Sequence, residues 1–298
     1  LSVNQSVTCY WVDAFTQTPF TGNPAVVVPE ADGLDDAQKQ ALAREVNCSE
    51  TAFVLAPTVP DADFQLRWFT PTQEVDLCGH ATIATLHTLA EIGRFNLRRG
   101  TTQILYLQTQ SGILSVTVDF TDETDAPWIW LGLPTADFNP IAADLLAPLQ
   151  VALGLPSSWS PSLVPVVDTL NHDLLLPIEG LAPLHALHPD MNALVELGRS
   201  QQWRGISVYT LETVSPENHL HSRFFAPQSG IPEDPVTGSV SGPLVSYLQG
   251  QGVLKDHRFT LEQGDCLNRP GRLQIDLKGA QPRLGGQAIT VLRGELLV

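Results

Sequence analysis

Two carboxylates, two polar helix-start residues and one thiol carry whatever chemistry this chain performs. Glu50 stands in Ser49-Glu50-Thr51 and Asp234 in Glu233-Asp234-Pro235. His80 and Ser239 each follow a glycine, Gly79 and Gly238. A carboxylate beside an imidazole is the usual equipment for taking a proton from carbon and returning it. It serves best when burial in a cleft lifts its affinity for the proton toward neutrality. A polar side chain just inside a helix start can bind an anion together with the backbone N–H groups there. Taken singly, each residue also has a plain reading. Glu50 could be a solvated turn carboxylate, His80 and Ser239 could satisfy helix-end amides, and Asp234 could be a turn residue held extended by Pro235.

The elements around these residues are written twice. Phe69-Thr70-Pro71 followed by Cys78-Gly79-His80-Ala81-Thr82 is matched by Phe225-Ala226-Pro227 followed by Thr237-Gly238-Ser239-Val240-Ser241. Upstream, Asn23 to Pro29 lines up with Asn171 to Pro177, each pair enclosing an aliphatic triplet. From Gly79 and Gly238 the alignment runs without a gap to Leu89 and Leu248. Two copies predict two similar domains, each with a helix that starts at a glycine. A cleft receiving both helix starts would suit a small carboxylate, and Asn23 would help to position it.

Periodicity supports that plan. Helices are predicted over 80–92 and 239–249 from apolar residues three and four apart, and over 35–46 after an acidic start. Pro243 is tolerable only near a helix start, which places that start close to Gly238. Strands are predicted over 7–15, 25–28, 51–55, 64–69, 104–109, 114–119, 128–131, 206–211, 273–277 and 289–297. The Asp/Pro-rich stretch Asp122–Pro148 is read as the domain junction and Pro156–Pro165 as a loop. The expected domains are residues 1–125 plus 287–298, with the last strand returning to the first domain, and 126–286.

Composition removes several classes of function. The 298-residue chain has 16 basic and 32 acidic residues, a net charge of −16, and only three lysines. With no basic cluster, neither nucleic acid nor an anionic membrane surface is an expected partner. No apolar run approaches a membrane-spanning length and no secretory leader is visible, so the expected location is the cytoplasm. Cys9, Cys48, Cys78 and Cys266 form no C-x-x-C pair, which favours a reducing compartment. His185-x-x-His188 and His219-x-His221 lack a positioned third ligand, so no metal is expected.

In their order along the chain, five motifs resemble the phenazine-biosynthesis-like PhzF isomerase family. They are Val12-Asp13-Ala14-Phe15 with Gly22-Asn23-Pro24-Ala25; Ser49-Glu50-Thr51-Ala52-Phe53; Phe69-Thr70-Pro71; Cys78-Gly79-His80-Ala81-Thr82; and Glu233-Asp234-Pro235-Val236-Thr237-Gly238-Ser239. The resemblance implies an α+β, diaminopimelate-epimerase-like fold: two pseudo-symmetric domains, each a β-barrel-like sheet wrapped around a central helix. It implies a cofactor-free isomerase, often a homodimer, that moves a proton between carbons. The family's acid/base glutamate falls on Glu50, its histidine on His80, its aspartate on Asp234 and its serine on Ser239. Gly79 and Gly238 fall among the substrate-binding positions. Two alternatives stay open: a cysteine-dependent epimerase or racemase built on Cys78, and a non-catalytic protein that binds small acids on the same scaffold. Racemases of this fold place a thiol before the glycine in each half, whereas here Cys78 is matched by Thr237, too weak an acid to be the second base. Cys78 is therefore read as a small buried packing residue.

Overall fold

The computed structural model describes residues 6–121 and 126–298. The expected domain edge at 125 falls on residues 122–125, which lie outside the described residues, as do residues 1–5. Two compact units are formed, Leu1–Gly132 with Leu284–Val298, and Leu133–Arg283.

In the first unit the strands are β1 (Ser6–Ala14), β2 (Asn23–Val28), β3 (Glu50–Leu55), β4 (Phe64–Phe69), β5 (Glu74–Val75), β6 (Thr102–Thr109), β7 (Gly112–Asp119) and β8 (Trp128–Gly132). β2 and β3 are parallel, as are β4 and β6, while the pairs β1–β2, β3–β4, β6–β7 and β7–β8 are antiparallel. Parallel neighbours need a crossover. α1 (Asp36–Val46) supplies it between β2 and β3, opened by an Asp35/Gln38 capping box and closed by Asn47 in the left-handed region.

α2 (Gly79–Glu91) is the helix of this unit that chemistry depends on. It is buried almost all round, packing against β1, β2, β3 and β8. Its three threonines could be a liability there. Thr82, Thr85 and Thr88 instead donate their hydroxyls to the carbonyls of Cys78, Ala81 and Ala84, one turn back.

The second unit holds β9 (Phe138–Pro140), β10 (Val166–Asp168), β11 (Asp173–Pro177), β12 (Gly205–Thr210), β13 (Leu220–Ala226), β14 (Ile231–Asp234), β15 (Arg258–Gln263) and β16 (Gly271–Asp276). Its ladder runs β10–β11 antiparallel, β11–β12 parallel, β12–β13 antiparallel, β13–β15 parallel and β15–β16 antiparallel. The first unit follows the same succession from β1 to β7. The short helices α3 (Leu146–Leu153) and α4 (Leu181–His185), together with α5 (Met191–Gln201), pack Leu149, Leu153, Leu184 and Leu194 against Leu174, Leu176 and Val208 of the sheet. None of the three was predicted from the sequence, although Met191, Leu194 and Val195 of α5 recur at helical spacing. The buried helix α6 (Gly238–Gly250) carries Pro243 at its sixth residue, one turn deeper than its start.

Two last strands, β17 (Arg283–Gly286) and β18 (Ala288–Leu297), return the chain to the first unit. β17 pairs with β8, and β18 pairs antiparallel with β1 and packs on α2. The first unit's ladder thereby comes back to its starting strand. Among the described residues no helix is long and apolar enough to cross a membrane.

Candidate active site

In the first unit the reactive residues converge through strand register. Ala25 of β2 lies opposite Glu50 of β3 in the parallel pair. Asn23 and Glu50 therefore sit at the starts of neighbouring strands, and His80 is the second residue of α2. His80 Nε2 is 3.2 Å from Glu50 Oε2 and 3.2 Å from Ser49 Oγ. On the other side of the ring, Nδ1 is 3.5 Å from Asn23 Nδ2 and 3.5 Å from Cys78 Sγ. Asn23 is fully buried and His80 nearly so, while the Glu50 side chain keeps 14% of its exposure. With the Asn23 amide donating to Nδ1, the ring's own proton belongs on Nε2, the nitrogen that lies 3.2 Å from both the Ser49 hydroxyl and the Glu50 carboxylate. Gly79 begins the helix, and Cys78 at its N-cap makes no side-chain capping bond.

Cys78 is buried, as a packing residue would be, but its sulfur lies against the imidazole. Its place before the helix start aims it there, which the residue type alone does not reveal. Glu50, Cys78 and His80 also offer three ligand atoms within 4.8 Å of one another. A thiophilic cation could use that donor set. Scanning for paired histidines along the sequence passes over it.

The second unit presents a different set of groups at its helix start. Asp234 ends β14, and its Oδ2 accepts a 2.6 Å hydrogen bond from Thr237 Oγ1. The Gln263 amide braces this corner, donating to the Asp234 carbonyl at 2.8 Å and accepting from the Thr237 N–H at 3.1 Å. Ser239 Oγ accepts from Arg204 Nη2 at 3.0 Å. Arg204 in turn is clamped by Asp173, with Nε donating to Oδ1 at 3.0 Å and Nη2 to Oδ2. Burial pushes the Asp173 carboxyl up to about 6, although Arg204 draws it down. Because Pro243 has no N–H, the carbonyl of Ser239 four residues back lacks its helical donor. The Asn171 side chain supplies one at 3.1 Å.

The structure thus gathers Asn23, Glu50, Gly79 and His80 at one helix start, and Asp234, Gly238 and Ser239 at the other. Sequence reasoning missed Ser49, Arg204, Asp173 and Gln263. Arg204 immediately precedes β12, as Ser49 precedes β3, a correspondence that the strand bounds show and no sequence motif marks. The loop at 212–218 is tied down by the buried Glu262. That carboxylate accepts from the N–H groups of Val214 and Ser215, from Asn218 and from His221. Burial raises its proton affinity, but these bonds prevail and hold it at about 2.

A model of the phenazine biosynthesis-like protein family, PhzC-PhzF, matches residues 12–294. The chain belongs to this family. One relative, described as an uncharacterized isomerase of Clostridium acetobutylicum, is 32% identical over 97% of both chains. The crystal structure of a PhzF-family protein from Bacillus anthracis superposes with a TM-score of 0.87 at 30% identity, covering 99% of this chain and 100% of that one. A hydroxyproline epimerase from Agrobacterium vitis matches with a TM-score of 0.62 at 12% identity, over 98% of this chain and 93% of that one. At that identity the likeness concerns the fold alone. As a member of the PhzF family, the chain is an isomerase.

Proposed function

We infer that the protein moves a proton between carbon atoms of a small carboxylate-bearing substrate, with Glu50 as the acid/base. The observation that carries this reading is the 3.2 Å contact between Glu50 Oε2 and His80 Nε2 at a largely buried helix start. As Glu50 takes the proton, the C–H bonding pair passes into the substrate's conjugated system. The protonated Glu50 then returns the proton to a second carbon, so atoms and charge balance without an oxidant or a cofactor. His80, held by Asn23, steadies the carboxylate in both protonation states. Asp234 and Ser239 are assigned to substrate handling, on the family motif and on their positions beside the start of α6. The shared succession of strand pairings supports reading the two units as duplicated, pseudo-symmetric domains.

Solvent-deuterium exchange into a panel of small carboxylic acids tests this. Glu50→Gln should leave binding nearly intact and slow exchange by about 10²–10⁴-fold. A second reading, a one-thiol epimerase, is favoured by the 3.5 Å approach of Cys78 Sγ to His80 Nδ1. Under the leading reading Cys78→Ala has a much smaller effect than Glu50→Gln. If Cys78→Ala abolishes exchange and Glu50→Gln does not, the epimerase reading replaces it.

A further inference from the structure

Strand register identifies what stands in the second unit where the first has its acid. Ala25 opposes Glu50 in the β2–β3 pair, and Asp173 opposes Gly205 in the β11–β12 pair. Asn23 and Asn171 are matched in the sequence repeat. Gly205 is therefore the counterpart of Glu50, and Arg204 the counterpart of Ser49. Both preceding residues reach the second residue of the following buried helix. Ser49 Oγ meets His80 Nε2 at 3.2 Å, and Arg204 Nη2 meets Ser239 Oγ at 3.0 Å.

The acid is excluded at position 205 by packing. A Cβ on Gly205 would lie 2.2 Å from Phe224 Cζ. The same ring carries the Arg204 guanidinium over it, 5.5 Å from its centroid. The second unit thus replaces a proton carrier with a cation held in place by a carboxylate and an aromatic face.

Serving as counterion to Asp173 does not account for the whole of Arg204. Asp173 is completely buried, and it engages Nε and Nη2. The Arg204 side chain nevertheless keeps 38% of its exposure, and Nη1 makes no hydrogen bond among the described residues. Ser239 Oγ accepts from Nη2, which leaves its own hydroxyl proton available to donate. Nη1–H and the Ser239 O–H are the two donors a carboxylate takes, one for each oxygen.

We propose that Arg204, with Ser239, forms the subsite that recognises the carboxylate of the substrate. This rests on the reading of the substrate as a small carboxylic acid, and it names the residues that select the charge. Glu50 moves the proton; Arg204 is a binding and specificity residue that decides which molecules are held.

Benzoate and its neutral isostere benzamide are the probes, with binding measured by calorimetry on the full chain. The wild type is expected to prefer benzoate. Arg204→Met combined with Asp173→Asn removes the ion pair whole and should reduce that preference about 10- to 100-fold. Arg204→Lys keeps a countercharge for Asp173 should the double variant fail to fold. It should still lose most of the preference, because the fork is gone. Glu50→Gln should keep it. A wild type without preference overturns the proposal. So does an Arg204→Lys protein that melts at a lower temperature yet discriminates as the wild type does. Loss of deuterium exchange in Glu50→Gln together with full discrimination in Arg204→Lys would overturn this subsite and leave the assignment of Glu50 standing.

Discussion

The starts of α2 and α6 are built by the same succession of strand pairings and lined by different chemistry. At α2, Cys78-Gly79-His80 is met by Ser49 and Glu50. At α6, Thr237-Gly238-Ser239 is met by Arg204, while Gly205 holds the register position of Glu50. Every group at the first start can gain or lose a proton, or orients one that can. At the second, the central group is a guanidinium that stays charged throughout the physiological range. One arrangement is therefore suited to moving a proton and the other to holding a charge in place. A duplicated scaffold permits this division, because the backbone positions repeat while the side chains are free to diverge.

The sharpest test of that division compares the second residue of each helix. Once exchange into a carboxylic acid is detected, His80→Gln should lower turnover by about 10²-fold or more, with a smaller change in KM. Ser239→Ala should act mainly on KM, by about 10-fold, as loss of one hydrogen bond to a charged group. Equal effects on turnover would dissolve the distinction between a proton-moving unit and a charge-holding one.

A smaller effect should appear in stability at the glycine that replaces the acid. Gly205→Ala forces a methyl into the Phe224 ring, an overpacking that costs about 1–3 kcal/mol in denaturant unfolding. Phe224→Leu should recover part of it. A Gly205→Ala protein as stable as the wild type would mean that packing does not exclude a side chain there.

The smallest expected effect concerns the two matched asparagines. Asn171 serves a carbonyl that Pro243 leaves without a helical donor, while Asn23 serves the His80 ring. Asn171→Ala should cost about 1–2 kcal/mol of stability. Much of that cost should vanish in a Pro243→Ala background, where the backbone N–H of residue 243 takes over. At the matched position of α2 the residue is Ala84, so no equivalent coupling is expected for Asn23. A double-mutant cycle on Asn171 and Pro243 showing strict additivity would break this part of the comparison.

Much of this site could be read before any coordinates. Glu50 is marked by its place between a helix end and a strand start. His80 is marked by the glycine before it, and α2 and α6 by their apolar spacing. The strands 64–69 and 128–131 follow from alternation and from β-branched and aromatic content. These are local signals, carried by a few neighbouring residues. Pro243 was local too, and it placed the start of α6 close to Gly238, where the helix begins. What it could not reveal is that a side chain from 72 positions earlier in the sequence repairs the hydrogen bond the proline removes.

The sequence by itself determined which residue types were available, the duplication that pairs them, and the elements that carry them. Tertiary structure decided which of them meet. Arg204 sits between Trp203 and Gly205 with no motif around it, and only the parallel register of β11 and β12 brings it to Asp173 and Ser239. Cys78 looks like any small buried thiol until the entry to α2 turns its sulfur onto the imidazole. The physical reason is the same in both cases. Periodicity and capping are properties of a few consecutive residues, while the distance between two side chains depends on the register of strands far apart in the chain.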